Sequence, residues 1–525
     1  SPHHPAPSVR RMHSTPPPSR RTARLRAPFS LTGALSPVSC LPLPLTCFLL
    51  SILGLLPSAH SLRAAEPPPR PVSPSNPNVI IILADDLGSP DLASFGSDVH
   101  ETSAVDQLAR DGMKFTQNYS ACTVCSPTRA ALLTGKYPAR LHITDWIAGH
   151  DRPKAKLKIP DWQKFLPHAE VTLAEQLKAA GYATASIGKW HLTPGLKSGD
   201  DAYYPEKHGF DINVGGYARG QPPTYFSPYG IPTLADGPKG EFLTDREAAE
   251  AVKFMEANKD RPFFIYLPHY AVHTPIACKP EVIDQYKAKV QADATLKQRN
   301  AAYAALVSSV DDALGTIRAN LRRLKLEDNT VIFFTGDNGG QLPITENSPY
   351  RAGKGSAYEG GVRVPLVALW PGVTKPGTIE ATPAITLDLY PTILEMTGIK
   401  PLAAQVDGRS LAPLLRDPQT PWPYPSITVN GKGNASVRDE GWYFIRYQDG
   451  AEEFYDMARD PLQWTNLAAS SNPEVRTQLK RLAASFPASF APDVAQNQGG
   501  KAEKEERAGN PDPTIRPARA AAQLK

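Results

Sequence analysis

What most constrains this chain is an alternation of short apolar runs with longer stretches whose apolar residues recur every three to four positions. "NVIIIL" (78–83), "YATASIG" (182–188), "PFFIYL" (262–267), "TVIFFTG" (330–336) and "PLVALW" (365–370) read as strands. Near-continuous apolar runs of this length belong to strands buried on both faces, as in a parallel sheet. Between them "AVDQLARDGM" (104–113) and "TLAEQLKAAG" (172–181) carry helical spacing, and helices are expected over 245–257, 300–323 and 385–396. The 172–181 stretch opens on a capping box, Thr172-x-x-Glu175, and closes on Gly181. This alternation predicts an α/β fold with a large, mostly parallel central sheet flanked by helices. After about Leu415 the pattern changes. "WYFIRYQ" (442–448), Asp449-Gly450 and "AEEFYDM" (451–457) predict a hairpin, and a helix is expected near 472–485. Together they make a smaller antiparallel α+β subdomain.

The 525 residues are long enough for such a sheet, with apolar and charged fractions of 41% and 21% that suit a globular protein. Residues 1–61 read differently. Arg10, Arg11, Arg20, Arg21, Arg24 and Arg26 precede an apolar run, "LPLPLTCFLLSILGLL" (41–56), and small residues at Ala59 and Ser61. That order is a secretory signal, and it predicts export to a periplasm or the exterior. The run is too short and too proline-interrupted for a stable membrane span. Removing those six positive charges from the net +5 leaves about −1, so the folded part lacks the basic excess that nucleic acid requires. Beyond the signal, the expected parts are a Pro-rich linker over 62–77, the α/β domain over 78–415, the subdomain over 416–490 and a polar, disordered tail over 491–525. Only Cys122, Cys125 and Cys278 remain after residue 61, too few for a disulfide framework.

"VCSPTRAALLTG" (124–135) is the most informative stretch. Ser126 suits a helix cap, Pro127 the first helical position and Gly135 the position after the end. Cys125 is then expected just outside a helix N-terminus, where free N–H groups and the dipole favour an anion, with Arg129 one turn in. Cys122 completes a C-x-x-C, so a redox pair is an alternative; no second C-x-x-C completes a zinc site. The strand ends point to the same place. "NVIIILADD" delivers Asp85 and Asp86, "TVIFFTGDN" Asp337 and Asn338, "ATASIGKWH" Lys189 and His191, and "FFIYLPHYAVH" His273. All lie beyond the carboxyl ends of presumed parallel strands, where open α/β sheets bind ligands. Three carboxylates and an amide are hard oxygen donors, suited to Ca²⁺ or Mg²⁺ rather than zinc. Taken singly, each of these residues is an ordinary turn or cap; their agreement around one anion site is the signal.

These motifs resemble those of the formylglycine-dependent sulfatases, within the alkaline phosphatase-like superfamily. Cys125-Ser126-Pro127-Thr128-Arg129 is similar to the family's C-x-P-x-R signature, and "ILADDLG", "GKWHL", "HTP", "GDNGG" and "GKGSAYEGGVRVP" resemble its other blocks, in order. "LDLYPTILEMTG", "DGRSLAPLL" and "EFYDMARDPLQWTNLA" resemble its later landmarks, so the likeness covers roughly 77–470. The resemblance implies that a formylglycine-generating enzyme oxidises Cys125 to 3-oxoalanine, whose hydrate attacks sulfur, with Arg129 steadying it and Cys122 a bystander. It implies one calcium ion on Asp85, Asp86, Asp337, Asn338 and residue 125. Lys189 and Lys354 would hold sulfate oxygens, His273 would protonate the leaving alcohol, and His191 would deprotonate the second hydroxyl. The family's "TPN" before the second helix reads "ETSAVDQ" here, and "AVHTP" replaces the commoner "APHTP".

Two other functions fit part of this pattern: a phosphonate or phosphate ester hydrolase of the same superfamily, and an inactive protein that binds sulfated glycans. The oxidisable Cys125 favours sulfate over the first, and the intact residue set counts against the second. "HITDWIAGHDRP" (142–153) and "GGYARGQPPTYFSPYG" (215–230) are candidate substrate loops. They offer Asp145, Trp146, His150 and several tyrosines for sugar hydroxyls and ring faces, which suggests a sulfated saccharide.

Overall fold

The structure, a computed structural model, describes residues 76–149, 162–402, 406–422, 427–431, 434–447 and 450–485. The expected signal, nearly all of the linker, the C-terminal tail, His150 and Asp449 lie outside the described residues. Among the described residues no helix is long and apolar enough to cross a membrane.

An eight-stranded sheet organises the chain. Its order is Ile212–Val214, Ala183–Ile187, Phe263–Pro268, Asn78–Ala84, Thr330–Gly336, Leu366–Leu369, Met113–Phe115 and Thr378–Glu380. All pairings are parallel except those of Leu366–Leu369, which runs against both its neighbours. The five runs read from the sequence are all strands. The three other strands are three residues long each, too short to leave a pattern.

Alternating side chains explain why the runs are apolar from end to end. Ile80 and Ile82 point into one core with Phe263, Ile265, Ile332 and Phe334. Val79, Ile81 and Leu83 point into the other with Phe264, Val331 and Phe333. Each face is covered by helices: Leu243–Ala257 and Ala301–Arg323 on the first, and Cys125–Thr134, Leu173–Ala179 and Leu389–Met396 on the second. Each large apolar side chain buried this way contributes about 1.5–3 kcal/mol before entropy is subtracted. The capping box is present: Glu175 N–H donates to Thr172 Oγ1 at 3.1 Å, and Thr172 N–H to Glu175 Oε2 at 2.7 Å. The predicted 385–396 helix starts as a 3₁₀ turn, Thr386–Asp388. A further helix, Pro280–Ala292, escaped the sequence reading because it buries only Tyr286 and Val290.

The predicted hairpin is Trp442–Arg446 against Glu452–Asp456, within a four-stranded antiparallel sheet. One face packs Val437, Phe444 and Phe454 on Val475, Leu479 and Leu482 of the helix Pro473–Ala483. The other packs Tyr443, Ile445 and Tyr455 on Tyr119, Val362 and Ile385 of the larger unit.

Four adjacent strands, ending at Ile187, Pro268, Ala84 and Gly336, release their chains at one edge. Gly188 makes the closest crossing there. Its φ is +110°, and a Cβ would stand 2.1 Å from the Pro268 carbonyl oxygen. That approach lets Lys189 N–H donate to Pro268 O at 2.7 Å, which places the Lys189 side chain. Gly188→Ala should therefore cost about 1–3 kcal/mol of stability. Its activity loss should exceed what the shift in urea midpoint accounts for, because Lys189 moves with the backbone.

Candidate active site

The helix holding the signature begins two residues earlier than the sequence suggests. Cys125 is its first residue, with extended Val124 before it (φ −144°, ψ 164°) and Gly135 in the left-handed region after it (φ 67°). Pro127 is third, still within the turn whose N–H groups have no helical partner. Ser126 does not cap because its Oγ accepts the Ile147 N–H at 3.0 Å. Cys125 is thus inside the N-terminal turn rather than outside it, and remains at the positive end of the dipole.

Arg129, one turn on and fully buried, organises the site. Its Nε and Nη2 donate to Asp337 Oδ2 at 3.0 and 2.8 Å, Nη1 donates to the Lys189 carbonyl at 3.1 Å, and Nη2 lies 3.4 Å from Asp85 Oδ1. Register supplies the carboxylates. Ala84 is opposite Gly336 across the parallel pair, so Asp85 and Asp337 emerge side by side. Asp86 adopts φ 61°, a left-handed turn that Asp tolerates, while its N–H donates to Asp337 Oδ1 at 3.0 Å. Lys189 Nζ donates to Asp85 Oδ2 and Lys354 Nζ to Asp86 Oδ2, each at 2.7 Å. Asn338 Nδ2 donates to Asp86 Oδ1 at 2.8 Å. The stretch 351–361 is pinned rather than loose: Gly355 N–H donates to Thr123 O at 2.9 Å and Gly360 N–H to Arg351 O at 2.9 Å. It carries Lys354 to the signature.

The Cys125 Sγ and the carboxylate oxygens of Asp85 and Asp337 lie within 4.8 Å of one another. Asp85 Oδ1 and Asn338 Oδ1 are buried without a hydrogen-bond donor. Burial, with the Asp337 charge adding to it against the pull of Lys189, pushes the Asp85 carboxyl up to about 8. At Asp86 burial acts the same way, but Lys354, His273 and Lys189 outweigh it and hold the carboxyl low. Crowded carboxylates and buried undonated oxygens fit a hard divalent cation, with Cys125 Sγ the one sulfur in the group.

Two histidines face this centre. His191, at φ 59°, brings its Nδ1 to 3.4 Å from Cys125 Sγ, and its Nε2 contacts the Ile147 carbonyl. A carbonyl only accepts, so Nε2 carries the proton and Nδ1 turns a lone pair toward residue 125. Burial and the Lys189 charge keep the ring neutral. His273 Nδ1 donates to the Thr274 carbonyl at 3.0 Å, leaving Nε2 3.6 Å from Asp86 Oδ2. Burial and Lys354 lower its pKa to about 3.

Cys122 and Cys125 are both unpaired and buried, and burial raises both thiols, Cys122 to about 12. Among the described residues, the group placed to hold a metal contains Cys125 but not Cys122, so the geometry does not favour the C-x-x-C pair as a metal site. Asp145 and Trp146 are half-buried in the turn before Ile147. Among the loop tyrosines, Tyr217, Tyr225 and Tyr229 are buried core residues rather than substrate contacts. Tyr225 OH, for instance, donates to the Tyr270 and His273 carbonyls at 2.8 Å each. No sequence signal marks Tyr303, a helix residue whose OH donates to the Asp86 carbonyl at 3.3 Å, or Ile147 as the partner of His191.

Comparison with known proteins accounts for this geometry. Residues 77–399 match the sulfatase family model, and residues 353–486 that of the N-sulphoglucosamine sulphohydrolase C-terminal region. The chain belongs to the sulfatase family and is a sulfuric ester hydrolase. It is 31% identical over 441 residues to mouse steryl-sulfatase, covering 68% of each chain. It is 33% identical over 372 residues to rat N-acetylgalactosamine-6-sulfatase, covering 65% of this chain and 66% of that one. The crystal structure of Ps i-CgsB with k-i-k-neocarrahexaose superimposes with a TM-score of 0.65 at 27% identity, over 82% of this chain and 97% of that one.

The buried ion pairs yield a stability prediction. Removing one partner of a buried pair strands the other, at about 3–5 kcal/mol. Arg129→Ala should lower the unfolding free energy measured in urea by an amount in that range. Lys354→Ala, whose ammonium is partly exposed, should cost markedly less. Equal costs would mean that Arg129 is not the tie between the two strand ends.

Proposed function

We propose that this sulfatase cleaves the sulfate ester of a saccharide through a formylglycine derived from Cys125, with one Ca²⁺ or Mg²⁺ ion. The observation that carries the reading is the position of Cys125: first in its helix, 3.4 Å from the His191 Nδ1 lone pair and grouped with Asp85 and Asp337. A formylglycine-generating enzyme is the partner this requires. The modified residue would supply a hydrated aldehyde oxygen as nucleophile, and the cation, held by Asp85, Asp86, Asp337, Asn338 and residue 125, would polarise the sulfate.

The chain's own groups do the rest. The helix N-terminus, Lys189 and Lys354 bind and orient the sulfate oxygens, stabilising charge as the ester bond stretches. Arg129 fixes Asp337 and Asp85, and through the Lys189 carbonyl it also fixes the start of the Lys189–His191 turn. His191 Nδ1 accepts a proton from the hydroxyl of residue 125, its tautomer set by the Ile147 carbonyl. His273 Nε2 delivers a proton to the leaving oxygen. Its Nδ1–H is already committed to Thr274, so it must first take a proton at Nε2, which a bound sulfate anion favours. The saccharide reading is supported by the names of a relative and a structural neighbour, one an N-acetylgalactosamine-6-sulfatase and one crystallised in complex with k-i-k-neocarrahexaose. Half-buried Asp145 and Trp146, beside Ile147, and His150 are the proposed sugar contacts.

Peptide mass mapping of protein made alongside a formylglycine-generating enzyme should show residue 125 as the aldehyde. Cys125→Ala should abolish turnover, whereas Cys122→Ala should keep most of it; equal loss from both would defeat the reading.

The histidines are separable by leaving group. Nitrophenolate departs without help, whereas a sugar alkoxide needs a proton. His273→Ala should therefore reduce kcat/KM for a sulfated saccharide by about 10²–10⁴-fold and far less for nitrophenyl sulfate. His191→Ala should slow both alike. The converse pattern would reverse the two roles.

A further inference from the structure

Residues 217–221 touch both histidines, by different means. The Tyr217 carbonyl accepts the His191 N–H at 3.1 Å. Gly220 lies against the His191 ring, where a Cβ would stand 2.5 Å from Cε1 and 2.9 Å from Nδ1, so only glycine fits. Gln221 Oε1 accepts from Thr274 Oγ1 at 3.1 Å, and that hydroxyl is 3.1 Å from His273 Nδ1. Between Gly220 and buried Ala218 the chain places Arg219.

Arg219 differs from the other cations of the centre. Arg129, Lys189 and Lys354 each have a carboxylate at 2.7–2.8 Å. Arg219 is half-buried, and among the described residues it has no hydrogen bond, ion pair or ring contact. A partly desolvated guanidinium without a counter-charge is unfavourable, and its planar fork matches the paired oxygens of a carboxylate or sulfate.

We infer that Arg219 binds a second anionic group, a carboxylate or another sulfate, on the saccharide whose sulfate ester is cleaved at residue 125. The role rests on the saccharide reading above and extends it: the preferred substrates are those with a further negative charge close to the reacting sulfate. Gly220 and Gln221 hold the arginine at a fixed offset from both histidines. The second anion would then bind beside the segment that touches both histidines.

The test compares kcat/KM within pairs of saccharides that differ only in that second charge. N-acetylgalactosamine 6-sulfate against its 4,6-disulfate, and the corresponding galactose sulfates, are suitable probes. Wild-type enzyme should prefer the member with two charges. Arg219→Gln should reduce that preference on the order of 10- to 100-fold, the worth of a hydrogen bond between charged groups, and Arg219→Lys should fall between. Because the preference is a ratio within one preparation, poor folding lowers both values and leaves it readable. A preference absent from the wild type, or unchanged in Arg219→Gln, would overturn the assignment while leaving the saccharide reading intact. Turnover of nitrophenyl sulfate with none of any saccharide would overturn both.

Discussion

The rest of the centre depends on one guanidinium. Arg129 reaches from the first turns of a helix to the ends of two strands, taking Asp337 with two of its nitrogens and lying 3.4 Å from Asp85. Parallel strands set side by side bring their terminal carboxylates into mutual repulsion, and in a dry interior that repulsion is strong. A buried arginine relieves it without blocking the face toward Cys125, because its planar fork binds from one side. The same side chain holds the Lys189 carbonyl and thereby the turn that carries His191. Sheet, signature helix and the turn carrying His191 are thus referenced to a single group.

Around that group the backbone accepts conformations that cost energy. Asp86 and His191 have positive φ, at 61° and 59°, a region ordinary side chains avoid. Asp86 lies two residues and His191 four residues beyond a strand end, where the hydrogen-bond ladder has stopped and the chain must turn sharply to face the centre. The two packed cores on either side of the sheet hold the strands rigid enough to impose it. Strain of this kind marks where precision of placement has been retained against local preference.

Much of this was legible in the sequence, and what escaped has physical reasons. The five central strands are buried on both faces, so their runs are continuous and unmistakable. Short outer strands such as Thr378–Glu380 are recognised only by their partners. Ser126 has the chemistry of a cap, but a residue distant in sequence, Ile147, claimed its oxygen. The tyrosines of 215–230 have the chemistry of sugar contacts, and tertiary packing turned them inward. The carboxylates, lysines and histidines of the centre were visible because strand ends are a predictable place. Arg219 was not, since nothing in a sequence says which loop residue lacks a partner.

Burial of the signature has a kinetic consequence. Cys125 is 3% exposed, and Ser126, Pro127, Thr128 and Arg129 are buried with it. Any enzyme that must grip this segment and oxidise the thiol needs it extended and accessible, which the folded protein forbids. If residue 125 is modified as proposed, folding and modification race, and each chain's outcome is fixed before its core closes. A molecule that wins the folding race first is well packed and permanently silent. The specific activity of a preparation then measures how its synthesis was timed, not only how stable the finished fold is.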